Sequence, residues 1–322
     1  MKILVTGGAG YIGSIATAML IDAGYQVNVL DDLSTGHSDA VSERATFIEG
    51  SLLNKEDLDR ALLGCDAVMH FAAKSLVGES VEKPELYEKV NVGGSKALIA
   101  KMKEHGISKI VLSSTAATYG EPKESPIRED SETRPTNPYG ASKLAVDHMI
   151  SSESVAYGLA AMSLRYFNVA GAHKTTDGWI TEEHEPETHL IPNLLKSSAV
   201  SPMKIFGTDW PTKDGTCIRD YVHVTDLIDA HISALEKLVE GKHEVVNLGS
   251  GGGYSVKEII SAANSVVGHE LPVANGERRL GDPAVLVADI SKAASLLNWK
   301  PTRDIKTMVS DAWESINAST RK

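Results

Sequence analysis

Apolar residues in the first half of the chain fall into short runs at Lys2–Thr6, Tyr25–Leu30, Thr46–Glu49, Ala67–Phe71, Lys109–Ser113 and Ala161–Tyr166. Runs of this length, bounded by Gly, Pro or charge, read as buried strands. Between them lie stretches of helical periodicity: one through Leu20, then Lys55–Leu63, Pro84–His105 and Pro138–Tyr157. Strand and helix in strict alternation predict a doubly wound α/β architecture, a parallel sheet covered on both faces.

Beyond Asn168 the pattern changes. Ala170 to His189 shows little periodicity and many polar residues, and a Pro-containing stretch leads through Lys204-Ile205-Phe206-Gly207 to a loop at Asp209–Thr216. This predicts a smaller, loop-rich α/β addition over the ligand edge of the sheet. The chain then returns: Arg219 to Val224 precedes a helical pattern at Asp226–Leu238, and Val245-Val246-Asn247-Leu248 reads as another buried strand. The expectation is a nucleotide-binding domain over residues 1–168 with a returning segment around 219–250, and a mainly substrate-binding domain over 169–322, with interleaved boundaries. A length of 322 residues exceeds the usual single domain and agrees.

The first strand enters Gly7-Gly8-Ala9-Gly10-Tyr11-Ile12-Gly13 and then a helix. Glycines at 7, 10 and 13 allow a tight turn, close approach to a pyrophosphate, and amides presented at a helix N-terminus. This makes the sheet Rossmann-type. The second strand ends on Asp31 and Asp32, where a carboxylate accepts from adenosine ribose hydroxyls; an acid there favours NAD, since a phosphate on that ribose would be repelled.

Ligands of such sheets bind beyond the carboxyl ends of the strands, and Phe71-Ala72-Ala73, Ser113-Ser114-Thr115 and Tyr166-Phe167-Asn168 fall there. Tyr139 and Lys143 lie four apart in a helical stretch, which stacks a phenol beside an ammonium. A cation so placed lowers the phenol pKa and lets tyrosine act as a base near neutral pH. The pair also arises by chance; its meaning comes from the glycine loop and the acid that precede it.

Composition narrows the class. Hydrophobic residues make up 42% with no run long enough to span a bilayer, and the net charge of −11 argues against nucleic acid as a partner. Met1 runs almost directly into the first strand, so the expected location is cytoplasmic. Cys65 and Cys217 lie far apart without a Cys-x-x-Cys partner, and the 11 histidines, His223 and His231 included, show no metal-ligand spacing. No metal is expected.

On Gly7–Gly13, Asp31–Asp32, His70–Ala73, Val77–Ser80, Ser113–Gly120, Tyr139–Lys143, Arg165–Asn168, Phe206-Gly207, Arg219–Tyr221 and Arg278–Asp282, the chain resembles the extended short-chain dehydrogenase/reductase family. Within it, the likeness is to the UDP-glucose 4-epimerase group, from the first strand to about Trp299. The resemblance implies an NAD-dependent isomerase that interconverts UDP-galactose and UDP-glucose through a 4-keto sugar. Tyr139 would take the proton of the 4-hydroxyl as the C4 hydride leaves. Lys143 would hold the nicotinamide ribose and depress the Tyr139 pKa, and Thr115 would hydrogen-bond the same hydroxyl.

The resemblance also places residues. Gly7, Gly10, Tyr11, Ile12, Gly13, Asp31, Asp32, Ser51, Leu52, Phe71, Ala72, Ala73, Asn91, Ser113 and Tyr166 would join Tyr139 and Lys143 around NAD. Asn168, Leu190, Lys204, Phe206, Arg219, Tyr221, Arg279, Asp282 and Leu286 would join Thr115 and Tyr139 around the sugar nucleotide, with Arg219 and Arg279 on the diphosphate. It implies a homodimer packed through Pro84–His105 and Pro138–Tyr157.

Three departures from the family pattern stand out. Gly50-Ser51 replaces a common Gly-Asp whose carboxylate accepts from the adenine amino group, Thr115 replaces a common serine, and Lys74 is offset from a lysine found in some relatives, leaving its role open. Within the fold the rival is a nucleotide-sugar 4,6-dehydratase, which needs an Asp-Glu pair where this chain has Ala116-Ala117. Outside enzymes, the rival is an NAD-sensing protein, which has no need of Thr115, Tyr139 and Lys143 together. Leu286 falls where side-chain size is thought to decide admission of an N-acetyl group, so UDP-N-acetylhexosamines, and also UDP-pentoses, stay open as substrates.

Overall fold

The computed structural model describes residues 1–279 and 282–319; Leu280-Gly281, within the Arg278–Asp282 segment, lie outside the described residues. Seven strands form the main sheet: β1 (Lys2–Thr6), β2 (Gln26–Asp31), β3 (Thr46–Glu49), β4 (Ala67–His70), β5 (Lys109–Thr115), β6 (Ala160–Tyr166) and β7 (His243–Leu248). Their order is β7-β6-β5-β4-β1-β2-β3 and every pairing is parallel.

Alternation along β1 divides the core. Ile3 and Val5 face one layer with residues of α1 (Tyr11–Asp22), whereas Leu4 faces a second with residues of α2 (Lys55–Leu62), α3 (Gly94–Glu104) and α4 (Pro138–Tyr157). A further helix, α5 (Val224–Glu236), adds Leu227, Ala230 and Ala234 to the first layer. The chain reverses its direction of growth between β1 and β4, so the crevice beyond these two strands is the topological switch point where ligands of such sheets sit.

The helix anticipated over Pro84–His105 is interrupted. An α-helical turn at Pro84–Tyr87 passes into π-helix at Glu88–Gly93 before α3 begins. The interruption coincides with tertiary contacts: Asn91 is held by Lys74 and Ser142, and Gly94 lies so close to Leu52 that a Cβ would approach its side chain to 3.1 Å. A π-bulge absorbs the extra residue and re-aims Asn91.

The part of the chain after Asn168 has its own core, built on Ala170, Ile191, Leu194, Ile205, Tyr221, Ile259 and Met308. The polar stretch after Asn168 is more ordered than its lack of periodicity suggests. Asn168–Ala170 pairs in parallel with Tyr221–His223, and His173–Lys174 forms a small antiparallel ribbon with Trp179–Ile180. Asp220 ties these parts together. Its buried carboxylate accepts from the amides of Tyr221, Ser250, Gly251 and Ala288 and from the Ser250 hydroxyl. Among the described residues no helix is long and apolar enough to cross a membrane.

Candidate active site

The switch-point crevice opens on the glycine loop. Gly7 takes a φ of +72°, and a Cβ there would lie 2.6 Å from the Ala72 amide nitrogen; a Cβ on Gly13 would lie 2.0 Å from the Gly7 carbonyl oxygen. Both glycines are therefore demanded by the protein's own packing. Gly10 is different, since a Cβ there would meet only the Gly7 oxygen at 3.5 Å, ordinary contact. Its missing side chain leaves room for a ligand at the head of α1, which has no side-chain cap and no acid in its first turn. That cradle fits a dinucleotide pyrophosphate.

Asp31 closes one side of the crevice. Its carboxylate accepts from the Ala9 amide at 2.9 Å and the Leu33 amide at 2.9 Å, so the acid also shapes the loop it adjoins. Burial raises its pKa, opposed by these two amides. Lys74 reaches across to donate to Ser34 Oγ at 3.0 Å, in the loop after Asp32. Where Gly50-Ser51 lacks the common aspartate, α2 supplies a carboxylate from another direction: Asp57 accepts from the Ser51 amide at 2.9 Å and from Arg60 at 2.7 Å. The Leu52 side chain points into the core, and Phe71 packs tilted against His231 with ring centroids 4.9 Å apart.

Three side chains converge at the ends of β5 and α4. The Thr115 hydroxyl is close enough to the Tyr139 phenol to hold its pKa down, and Lys143 Nζ donates to the Ser113 carbonyl oxygen at 2.9 Å. Ser113 Oγ is hydrogen-bonded in turn to the Tyr166 hydroxyl. The Asn137 side chain caps α4 by accepting from the Gly140 amide at 2.9 Å, with Pro138 in the first turn, and this fixes where Tyr139 emerges. Ser142 accepts from Asn91 Nδ2 at 2.9 Å, while Asn91 also brackets Lys74 through its backbone. Asn91 thus ties the start of α4 to the loop after β4.

Electrostatics at this centre differ from the expectation in one respect. Burial pushes the Tyr139 phenol above its ordinary value, and the opposing pull comes from the neighbouring Thr115 hydroxyl, not from Lys143. The reason is that the Lys143 ammonium is itself desolvated, down to about 8, and is aimed at the Ser113 carbonyl. Tyr87, which the sequence did not single out, packs edge-on against Tyr139 with ring centroids 6.4 Å apart.

The other predicted group assembles around the short strand Ile218–Arg219. Arg219 donates to the Pro283 carbonyl at 2.8 Å, lies 3.6 Å from Asp282, and sits in register with Leu286. The Arg279 guanidinium stacks 3.8 Å over the Phe206 ring, and the Asp282 amide donates to the Arg279 carbonyl at 3.3 Å. Asn168 donates its side-chain amide to the Asp220 carbonyl at 3.0 Å, and Tyr221 is buried beside it in register. Leu190 opens the helix Leu190–Leu195 against the same core. Lys204 shares a strand face with Phe206 and is exposed.

One grouping is contrary to expectation. No metal-ligand spacing was found among the histidines, yet Glu182, His184, Glu187 and His189 bring one donor atom each within 4.8 Å of one another. The two carboxylates hold the His189 imidazole up to about 10 against the effect of burial, and Glu182 is held down at about 2. Burial first, then the charges of Glu182 and Glu187, raise the Tyr11 phenol, whose hydroxyl donates to the Gly171 carbonyl at 2.7 Å.

The sequence profile of the family described as "NAD dependent epimerase/dehydratase family" matches residues 3–249 of the chain. The chain belongs to the NAD dependent epimerase/dehydratase family. A curated relative, the UDP-glucose 4-epimerase of Corynebacterium glutamicum, is 50% identical over 99% of this chain and 96% of its own length. Among solved structures of the family, the UDP-glucose 4-epimerase of Brucella ovis in complex with NAD superposes with a TM-score of 0.92 at 42% identity, covering 97% of each chain. The Bifidobacterium longum UDP-glucose 4-epimerase in complex with NAD+ and UDP gives 0.91 at 35% identity over 99% of each chain.

Proposed function

We propose that this chain is a UDP-glucose 4-epimerase, interconverting UDP-galactose and UDP-glucose with tightly held NAD. The observation that carries the reading is the convergence of Thr115, Tyr139 and the buried Lys143, which donates to the Ser113 carbonyl at the strand edge that adjoins the Gly7–Gly13 loop. NAD, held by the Gly7–Gly13 loop and Asp31, would supply a hydride acceptor and donor for C4 of the sugar. Tyr139 receives the proton of the 4-hydroxyl and gives it back. Thr115 orients that hydroxyl, and the desolvated Lys143 supplies positive charge without spending it on a carboxylate.

Arg219 and Arg279 are the proposed diphosphate clamp. Holding the sugar nucleotide by its diphosphate leaves the hexose free to turn between the two hydride transfers. Elimination of water is disfavoured, because the turn Ala116–Tyr119 puts Ala116 and Ala117 where an acid and a base would be needed. We further propose a homodimer packed on α3 and α4, supported by Val155 on the α4 surface, 85% exposed; light scattering on the purified chain measures this directly.

The test is to mix the purified chain with UDP-galactose, add no reductant, and follow the sugar protons by NMR. Interconversion with UDP-glucose and no net NADH is expected. A 6-deoxy-4-keto product means a dehydratase, and bound NAD with no turnover means a sensor.

A further inference from the structure

The segment that leads into Leu190 has the pattern Glu182-x-His184-x-x-Glu187-x-His189. His189 Nδ1 lies 2.6 Å from Glu182 Oε1 and 3.2 Å from Glu187 Oε1, and His184 Nδ1 lies 3.0 Å from Glu182 Oε1. Ligands in a tetrahedron around zinc, at bond lengths of about 2.0–2.2 Å, stand roughly 3.3 Å from one another. Three of the six donor pairs lie at 2.6–3.2 Å, and all four donors fall within 4.8 Å of one another.

A second, independent observation points the same way. His184 Nδ1 and Glu187 Oε2 are buried and make no hydrogen bond, although the Glu187 side chain is only 8% exposed. His184 Nδ1 faces Glu182 Oε1 at 3.0 Å without hydrogen-bond alignment, and Glu187 Oε2 is left without a partner while Oε1 takes the contacts of its residue. Buried lone pairs without a hydrogen-bond partner are what a cation would use.

We propose that Glu182, His184, Glu187 and His189 form a structural zinc site that fastens the 182–189 segment beneath Leu190. Two imidazoles and two carboxylates suit zinc better than calcium or magnesium, which prefer all-oxygen sets. Four protein ligands complete a tetrahedron and leave no open position, so the site is structural and separate from hydride transfer. Its neighbours extend the effect: Thr181 accepts from Ser315 of the helix Ile305–Ser319, and the Tyr11 phenol feels both carboxylates. The proposal does not depend on which sugar nucleotide the chain turns over.

The test uses the full chain without an affinity tag. After purification in zinc-containing medium, elemental analysis is expected to give one zinc per chain. After chelator treatment, zinc competition against a chromophoric chelator gives the affinity. His184→Gln and Glu187→Gln are each expected to weaken zinc binding at least tenfold, whereas His148→Gln, on the exposed face of α4, leaves it unchanged. The His184 side chain is 30% exposed and its polar contact is with Glu182, so His184→Gln is expected to keep the fold, as far-UV circular dichroism will verify, and it decides alone if Glu187→Gln does not fold. Absence of bound zinc, or equal affinity in folded His184→Gln and His148→Gln, overturns the site.

Discussion

Lys143 Nζ donates to the Ser113 carbonyl at 2.9 Å, a neutral partner, so the ammonium at the centre of the site is buried without a carboxylate in contact. Burial lowers its pKa from 10.5 to about 8, a penalty on the order of 3 kcal/mol while the group is charged. The sign follows from linkage. Because the folded-state value lies below the unfolded one, the destabilisation is complete below pH 8 and fades as pH rises toward 10.5. Lys143→Met is therefore expected to raise Tm by about a few degrees at pH 7 and to lose that advantage near the unfolded-state value, while activity falls by about two orders of magnitude or more. Thermal melts at the two pH values check it.

The Thr115 hydroxyl is what lowers the Tyr139 pKa against burial. Removing it in Thr115→Ala is expected to move the acid limb of the pH–rate profile to higher pH and to reduce kcat about tenfold to a hundredfold. Thr115→Ser keeps the hydroxyl and should restore both. A profile that does not move in the alanine variant would assign Thr115 to packing alone.

Gly10 and Gly13 are expected to separate binding from folding. A methyl at Gly13 collides with the Gly7 carbonyl at 2.0 Å, whereas at Gly10 it has ordinary room. Gly10→Ala should melt like the parent chain and bind NAD at least about tenfold more weakly, about 1.4 kcal/mol. Gly13→Ala should lose stability even without NAD. Scanning fluorimetry with and without NAD distinguishes the two.

Asp220 accepts five hydrogen bonds through one buried carboxylate. An amide in its place turns an acceptor into a donor that faces other donors. With charge-assisted bonds worth about 1.5–3 kcal/mol each, Asp220→Asn is expected to cost at least about 3 kcal/mol. Urea unfolding measures it.

The strands, the glycine loop and the Tyr139 helix were legible because each rests on local rules: apolar runs, backbone room, and helical periodicity from Pro138. The reversal between β1 and β4 then placed Gly7, Ala72 and Asp31 at one crevice. What was not legible depends on partners distant in sequence or on departures from regular periodicity. Nothing in the run Pro84–His105 signals the π-turn at Glu88–Gly93, which coincides with the hold of Lys74 and Ser142 on Asn91. Asp57 as the carboxylate beside Ser51 comes from a neighbouring helix. The Glu182–His189 donors, two to seven residues apart, looked like loop polarity, since their convergence is set by the turn of an aperiodic segment. The helical spacing of Tyr139 and Lys143 suggested a direct electrostatic pairing, but burial of both groups outweighs it.

Tyr139→Phe removes the phenolic oxygen and nothing else from the centre. The variant is expected to fold, to bind NAD as before, and to turn over at least about a hundredfold more slowly. Undiminished activity in a folded variant would remove Tyr139 from the mechanism.

The central claim is that the C4 hydrogen leaves as hydride and returns to the same carbon without exchange with water. UDP-galactose carrying deuterium at C4 tests it, incubated with the purified chain in ordinary water and followed by deuterium and proton NMR. The account predicts UDP-glucose with deuterium retained at C4. Product with protium at C4 at the same extent of conversion would contradict it.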